Sequence, residues 1–266
     1  MSVSLPVLEV DLGRGVRAAF TMRAGGVSTG PHAALNLGLN VSDEVGDVLA
    51  NRALVGRWAG APVAFATQVH GADVAVVEPW SGPTPPSIGR FDALVSARGA
   101  GIGVLVADCV PVLLADPEAG VVGAVHAGRC GLADGVVQAT LTTMIACGAR
   151  PERVRAAIGP AICGACYEVP AGLRAEVADV VPATWGTTTA GTPALDLPAG
   201  VAALLAAAGV VRVQRLAICT LTDDRFFSHR RAQREGITTG RFAGLIRTVG
   251  PAPGVSWGID AGPLLA

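Results

Sequence analysis

The chain has 266 residues, of which 51% are hydrophobic and 15% are charged. This composition excludes a disordered protein, because disordered chains have few apolar and many charged residues. The formal net charge of −1 provides no basic field for a polyanion, so we expect no nucleic-acid partner. All 20 basic residues are arginine, which excludes Schiff-base chemistry and a phosphate-loop lysine.

The chain is predicted to be a single domain over residues 1–266, because it has no internal repeat and no long linker. Its start lacks the pattern of a secretion signal, and no apolar run approaches the roughly 18 residues that span a bilayer. We therefore expect a cytoplasmic protein with no membrane partner. Its six cysteines are expected to be reduced thiols.

The first half of the chain predicts one helix and many strands. A strand over 15–21 is followed by a long loop over 23–38 and by a helix over 43–58. Short β-branched runs bounded by Gly, Pro or Asp then predict five strands. They cover residues 63–69, 73–77, 92–95, 102–107 and 121–125.

The second half alternates between helices and strands. Apolar spacing predicts helices over 131–147, 171–181 and 199–208, and strands over 153–158 and 213–219. One helix, a block of strands and then alternating elements indicate an α+β (mixed α/β) fold with mixed sheets.

Three side chains of metal-ligand type are predicted at the ends of strands. His70 closes the run AFATQVH, Cys109 closes GVLVADC and His126 closes VVGAVH. If these strands are neighbours, the three side chains converge on a metal site. Two imidazoles and a thiolate suit Zn²⁺ with an open catalytic position, or Cu²⁺ with a distant methionine. The same pattern also fits two turn histidines and a buried cysteine.

Two other motifs give weaker signals. Gly26 to Gly30 reads GVSTG, but the nucleophile elbow of that pattern needs a strand before it and a helix after it. Cys163 and Cys166 form a lone C-x-x-C pair, which is typical of a redox motif or half a zinc site.

Anion-binding candidates are arginines and one amide. Residues 225–231 form the densest positive cluster and include Arg230. Arg23 in the long loop and Arg52 on the first helix are further candidates, because guanidinium groups bind phosphate and carboxylate oxygens in pairs. Asn36 can both donate and accept hydrogen bonds.

Seven motifs in order resemble the YfiH family, also called the laccase-domain or multicopper polyphenol oxidoreductase family and more recently purine nucleoside phosphorylase. They are TMRAGGVSTGPHAALNLG with Asn51 and Arg52, ATQVHGADV, DALVS, VLVADCVPVLL, AVHAGRCG, IGPAICGACYEV, and CTLTDDRFFSHRR with TTGRFAGLI.

The resemblance implies a four-layer α/β/β/α fold, similar to cytotoxic-factor cysteine hydrolases, and a zinc ion held by His70, Cys109 and His126. It implies phosphorolysis of adenosine, inosine and methylthioadenosine, together with adenosine deamination. Asn36 and Arg52 match family residues that contact nucleoside and phosphate. Copper-dependent polyphenol oxidation and hydrolysis of peptidoglycan precursors by a cysteine remain alternatives, and the first needs more histidines than the four present.

The expected roles follow from these residues. Asp108 is a candidate proton carrier, although neighbouring strand residues face opposite ways. Arg52, Arg23 and Arg230 are candidates for substrate binding, and Cys109 with His126 is a possible nucleophile and base. The family usually reads HAGWRG and F-x-S-Y-R-R, whereas this chain has Arg129 in place of the tryptophan and His229 in place of the tyrosine. The sequence gives no oligomeric state.

Overall fold

The computed structural model describes residues 5–80 and 87–250. The helices are α1 (Val45–Ala59), α2 (Arg129–Ala133), α3 (Val136–Ala146), α4 (Ala171–Val180), α5 (Leu197–Ala207) and α6 (His229–Glu235). The strands are β1 (Val7–Glu9), β2 (Val16–Thr21), β3 (Val63–Ala64), β4 (Val74–Val76), β5 (Ala93–Ser96), β6 (Gly101–Val106), β7 (Val110–Asp116), β8 (Val121–Ala127), β9 (Arg155–Ile158), β10 (Trp185–Thr187), β11 (Pro193–Leu195), β12 (Arg212–Arg215) and β13 (Phe242–Thr248).

Two mixed sheets form the centre of the fold. The five-stranded sheet has the order β1-β2-β13-β6-β3, and the six-stranded sheet has the order β12-β9-β7-β8-β5-β4. Each sheet combines antiparallel pairs with parallel ones, such as β3 with β6 and β4 with β5. β10 and β11 form a separate antiparallel ribbon. The mixed α+β prediction is confirmed.

The layers follow from which faces are apolar. Phe20, Ile102 and Leu113 lie in the core between the two sheets. β7 and β8 are buried along their whole length, as expected of central strands covered on both faces. α1 covers the five-stranded sheet, and α3 and α5 cover the six-stranded sheet. The arrangement is the four-layer α/β/β/α stack that the resemblance implied.

Two predicted elements differ from the structure, and some strands of the structure were not predicted. The strand predicted over 63–69 ends at Ala64, because the Gln68 amide takes over the pairing with β6 through the N–H and C=O of Leu105. The helix predicted over 131–147 is split into α2 and α3 at Gly135, whose φ is 88°. The strand β7 was not predicted, since Pro111 argues against a central strand. β1 and β13 were also not predicted.

None of the helices in the described part of the chain is long and apolar enough to cross a membrane.

Asp116 fixes the loops at one end of β7. Its buried carboxylate accepts hydrogen bonds from the backbone N–H groups of Glu118, Ala119 and Arg150 and from the Arg153 guanidinium. Burial alone would raise the pKa of Asp116, but these donors outweigh it and lower the pKa. The folded protein therefore holds this carboxylate charged more firmly than the unfolded chain does.

Replacing Asp116 with asparagine is expected to lower the free energy of unfolding by about 2–3 kcal/mol at pH 7. The stabilisation is present above the unfolded-state pKa, near 4, and is lost as the pH falls through the lower folded-state pKa. Urea titrations from about pH 3 to pH 7 should therefore show a flatter acid dependence for the variant. Glu118→Gln, at an exposed carboxylate, is the control. Equal curves for wild type and Asp116→Asn would disprove this role.

Candidate active site

A cavity of about 570 Å³ opens beside the end of β6. Its walls come from the loops at 38–41 and 66–70 and from residues 105–107. His70, Cys109 and His126 line it together. The volume lies within the roughly 300–1,000 Å³ of small-molecule sites.

The structure brings the three predicted ligand residues together. Their ligand atoms all lie within 4.8 Å of one another, and Cys109 Sγ lies 3.8 Å from His70 Nε2. The His70 and His126 rings meet edge to face with centroids 4.8 Å apart. Donor atoms about 2.0–2.3 Å from a shared ion lie roughly 3–4 Å from each other, so small side-chain shifts would bring all three onto one ion.

The ligands reach this point by a different route from the one predicted. Only Cys109 lies at a junction of strands, between β6 and β7. His70 lies in a loop, with φ of 62°, and His126 lies inside β8, paired with Pro111 of β7. The expectation that all three residues close strands is therefore wrong for His70, whereas His126 lies one residue before the end of β8. The β7–β8 pairing places the Cys109 turn beside His126.

Asp92 organises the ligands and was not among the predicted site residues. Its fully buried carboxylate accepts the backbone N–H groups of Val69, His70 and Gly71 at 3.1, 3.0 and 2.8 Å. Its Oδ1 also lies 2.7 Å from His126 Nδ1. One carboxylate thus holds both the loop of His70 and the ring of His126. An acid directly before the apolar strand β5 was the available sequence signal.

The electrostatics favour a thiolate beside a charged imidazole. Burial alone would raise the pKa of Cys109, but His126 and His70 outweigh it and lower the pKa to about 6. Burial would likewise lower the pKa of His126, but Cys109 and Asp92 raise it to about 9. Because Nδ1 of His126 bonds to Asp92, Nε2 is left to face Cys109. A metal ion bound between Cys109 Sγ and His126 Nε2 would replace the proton that these two groups share.

This donor set fits a metal ion. Two imidazoles and one thiolate suit Zn²⁺, and Cu²⁺ accepts the same set. A carboxylate behind a ligating histidine is the usual support of such sites. The fit rests on donor chemistry and on the spacing of the three side chains.

Gly128 allows the chain after β8 to approach the ligands. An added Cβ there would lie 2.7 Å from His70 Cδ2 and 3.3 Å from Cys109 Sγ. Gly131 is similarly close, because its added Cβ would lie 2.5 Å from the carbonyl oxygen of Gly71. The HAG segment with its following glycine therefore reflects close packing against the ligand loop.

Asn36 supports the cavity from behind. It is fully buried, and its Oδ1 accepts the N–H groups of Gly38 and Arg241. Its Nδ2 donates to the Gly38 carbonyl and to Asp43. Because both donors and both acceptor positions are used, Asn36 positions Gly38 and Arg241, which line the cavity.

The predicted arginines separate into different places. Arg52 lines the cavity, where its Nε donates to the Leu37 carbonyl at 3.0 Å and burial lowers its pKa to about 10. Arg23 stacks on Phe227 and donates to the Ala33 carbonyl, so it ties the long loop down. Arg23 is not one of the residues that form the cavity wall.

Asp108 and Arg230 belong to a smaller adjoining cavity of about 290 Å³, which shares His70 and Cys109 with the first. Asp108 Oδ1 accepts the Thr220 hydroxyl, and Oδ2 accepts the backbone N–H of Arg230, both at 2.6 Å. These bonds hold the loop of Thr220 and the start of α6. They support a positioning role for Asp108 and give no support to its expected role as a proton carrier.

Arg241 and His229 complete the cavity wall. Burial lowers the pKa of Arg241, and partial burial and the charge of Arg241 lower that of His229. His229 is therefore neutral at pH 7. His229 lies within the positive cluster of residues 225–231, whereas Arg241 lies beyond it. The approach of both residues to the candidate ligands depends on how the fold places α6 and β13.

Comparisons with known proteins identify the family of the chain and agree with its fold. A family model described as multi-copper polyphenol oxidoreductase laccase matches residues 17–249. Purine nucleoside phosphorylase ORF3 of Streptomyces griseus is 52% identical over 233 residues, covering 86% of this chain and 92% of that protein. The crystal structure of YlmD from Geobacillus stearothermophilus has a TM-score of 0.79 and 33% identity, covering 89% of this chain and 93% of that one. YfiH of Bacillus licheniformis has a TM-score of 0.77 and 31% identity, covering 88% and 93%. The chain therefore belongs to the YfiH-like, multi-copper polyphenol oxidoreductase laccase family.

Proposed function

We propose that the protein is a zinc-dependent purine nucleoside phosphorylase that acts on adenosine, inosine and methylthioadenosine, with adenosine deamination as a second activity of the same cavity. The observation that carries this proposal is the convergence of His70, Cys109 and His126 at a cavity that also holds Arg52 and Arg241. The name of the Streptomyces griseus relative supports the reaction class.

The cavity offers the two kinds of contact that a nucleoside and phosphate need. Leu105, Val106 and Ala66 supply apolar wall suited to the face of a purine. Arg52 and Arg241 supply cationic groups for phosphate, and guanidinium is the side chain best matched to phosphate oxygens. Phosphate and base can thus lie on either side of one ribose.

Phosphorolysis then requires positioning and charge stabilisation. A phosphate oxygen forms a bond to the anomeric carbon of the ribose, and the bond from that carbon to the purine nitrogen breaks. The base leaves with the electron pair and takes up a proton, giving free base and ribose 1-phosphate. Arg52 and Arg241 would hold the attacking phosphate near the sugar, while neutral His229 can hydrogen-bond to substrate at the cavity wall.

Zn²⁺ held by His70, Cys109 and His126 would supply Lewis-acid polarisation of a substrate atom. Asp92 would keep His126 in the ligating orientation through Nδ1.

A second candidate function, cysteine hydrolase chemistry, is favoured by one observation. Cys109, His126 and Asp92 form a linked thiol, imidazole and carboxylate series, which is the arrangement of a cysteine nucleophile with an oriented base. The metal distinguishes the two functions. In a phosphorylase, zinc would bind the Cys109 thiolate, so zinc removal should abolish phosphorolysis, whereas it should activate a cysteine hydrolase by freeing that thiolate.

The proposal is tested by incubating zinc-loaded protein with inosine or adenosine, with and without phosphate, and separating the products. We expect hypoxanthine from inosine and adenine from adenosine only when phosphate is present. Inosine formed from adenosine without phosphate reports deamination. Absence of any free base in the phosphate samples would exclude the phosphorylase, and oxidation of a phenol by copper-loaded protein would favour the oxidoreductase alternative.

Arg241→Ala is expected to raise the KM for phosphate about 10-fold or more, because a charge-assisted hydrogen bond contributes about 1.5–3 kcal/mol. The KM for inosine should change less. Arg234→Ala removes an equal charge from an exposed position of α6 and is the matched control. An unchanged KM for phosphate in Arg241→Ala would remove this residue from the phosphate site.

A further inference from the structure

Three cysteines that the proposed function does not use lie together beside α6. The ligand atoms of Cys163, Cys166 and Cys219 all lie within 4.8 Å of one another, and each residue is half-buried. Cys163 and Cys166 share one turn, whereas Cys219 comes from a loop far along the chain. The fold has therefore joined the C-x-x-C pair to a third thiol.

Backbone hydrogen bonds hold together the two segments that carry the three cysteines. Ala161 and Cys219 pair as a parallel bridge, and Thr220 N–H donates to the Ala161 carbonyl at 3.1 Å. The C-x-x-C turn closes through Cys166 N–H to the Cys163 carbonyl at 2.9 Å. Gly164 packs so closely on Asp196 that an added Cβ would lie 2.6 Å from the Asp196 Cβ.

A backbone N–H points at one of the sulfurs, since Cys163 N–H donates to Cys219 Sγ at 3.5 Å. The nearby backbone N–H groups of Leu221 and Thr222 act in the same direction and lower the pKa of Cys219. The Thr222 N–H itself donates to the Cys219 carbonyl at 3.2 Å. Such N–H groups stabilise a thiolate, and charge-assisted hydrogen bonds are the stronger kind.

Burial and mutual repulsion disfavour the simultaneous deprotonation of all three thiols when no cation is bound. Burial and the neighbouring Cys163 raise the pKa of Cys166 to about 12, and burial and Cys219 raise that of Cys163. Neighbouring hydrogen bonds outweigh burial at Cys219 and lower its pKa. The site therefore favours the charged form at Cys219, and a bound cation would offset the cost of charging the other two thiols.

We propose that Cys163, Cys166 and Cys219 form a second metal site, which binds a thiophilic divalent cation of the Zn²⁺ type. Three thiolate sulfurs about 2.3 Å from one zinc ion lie roughly 4 Å from each other. The three sulfurs of this cluster lie within 4.8 Å of one another, so they can share one ion. Sulfur donors select zinc over hard cations such as Mg²⁺ and Ca²⁺.

The position of the site gives it a structural role. Ile162 N–H donates to the Asp108 carbonyl at 3.0 Å, and the Thr220 hydroxyl donates to the Asp108 carboxylate at 2.6 Å. A metal ion bound by Cys163, Cys166 and Cys219 therefore joins the two loops that hold Asp108, the neighbour of Cys109. A metal ion that binds the three thiolates only in the folded chain would stabilise the fold, independently of the reaction proposed for the first site.

The first test uses wild-type full-length protein, reduced and freed of metal. It is alkylated with iodoacetamide with or without Zn²⁺, and each cysteine peptide is followed by mass spectrometry. We expect Zn²⁺ to slow alkylation of Cys163, Cys166 and Cys219 about 10-fold or more, because a metal-bound thiolate is a poor nucleophile. Exposed Cys130 should react equally in both samples. Equal rates with and without Zn²⁺ at all three cysteines would overturn the proposal.

The second test measures zinc content and the thermal midpoint after loading and desalting. Wild type and the control Cys147→Ser should retain about two equivalents, whereas Cys166→Ser and Cys109→Ser should each retain about one. Zn²⁺ should raise the thermal midpoint of Cys109→Ser but not that of the double variant with Cys166→Ser. If Cys166→Ser retains as much zinc as wild type, or if Cys109→Ser retains none, the second site is excluded. Because Cys109→Ser lacks the first site, failure of either proposal is distinguishable from failure of the other.

Discussion

Cys109→Ala is expected to abolish phosphorolysis, with kcat/KM for inosine falling at least about 10³-fold. The variant removes the only sulfur among the three ligands at the cavity, so two imidazoles remain to hold the ion. A Lewis acid supplies several kcal/mol of charge stabilisation in the transition state, and losing it lowers the rate by about this factor. Steady-state assays with zinc-loaded protein at fixed phosphate measure it, and zinc content is determined on the same samples.

Cys147→Ala is the matched control, because it removes a half-buried thiol at the end of α3, away from the cavity. It should keep wild-type activity and zinc content. Cys109→Ala should still fold, since alanine leaves Asp92 bonded to His126 and to the loop of His70. A folded Cys109→Ala variant with wild-type kcat/KM would show that the thiolate is dispensable and that the reaction occurs elsewhere.

Asp92→Asn is expected to weaken zinc binding about 10–100-fold, the usual effect of losing the carboxylate behind a ligating histidine. The amide nitrogen cannot accept a hydrogen bond, so either His126 Nδ1 or the backbone N–H groups of Val69 and Gly71 lose a partner. Because Asp92 is fully buried, the free energy of unfolding should also fall, by about 3 kcal/mol. Competition with a chelator measures the first effect, and urea titration measures the second.

Asp73→Asn provides the comparison for Asp92→Asn. Asp73 is an exposed carboxylate in the same loop, and only its backbone carbonyl contacts Asp92. The Asp73→Asn substitution should leave both the zinc affinity and the free energy of unfolding unchanged. The role assigned to Asp92 is refuted by an Asp92→Asn variant that competes with the chelator as well as wild type does.

The fold class was predictable because the apolar runs of β5, β6 and β8 are short, β-branched and clearly bounded. Elements were missed where local signals oppose the tertiary environment. Pro111 lies in the central strand β7, where it pairs with His126 of β8. β13 was missed although its apolar run begins directly after Arg241. Gln68 ended a predicted strand through a side-chain pairing that no periodicity reveals.

The three candidate ligands could be brought together from the sequence because the chain offers so few histidines. Cys109 directly precedes β7 and His126 lies in β8, and the pairing of these two strands is local. Asp92 could not be singled out, since one carboxylate among 21 acidic residues becomes distinctive only when four donors converge on it. Arg241 was equally hidden, because Asn36 reaches its backbone across the fold from the other end of the chain.

The different roles of the predicted arginines also depend on the folded structure. Composition and spacing cannot distinguish Arg23, which stacks on Phe227 and bonds to its own loop, from Arg52, which lies at the cavity. Cys219 shows the same limit, since nothing in the sequence ties it to the C-x-x-C turn until the parallel bridge to Ala161 is seen. Long-range pairing thus determines both candidate sites.

The most direct test of the first site is anomalous diffraction at the zinc edge from crystals of zinc-loaded protein. We predict a peak bonded to Sγ of Cys109 at about 2.3 Å and to one nitrogen each of His70 and His126 at about 2.0–2.1 Å. Zinc peaks elsewhere in the molecule, with none within bonding distance of these three side chains, would contradict the account.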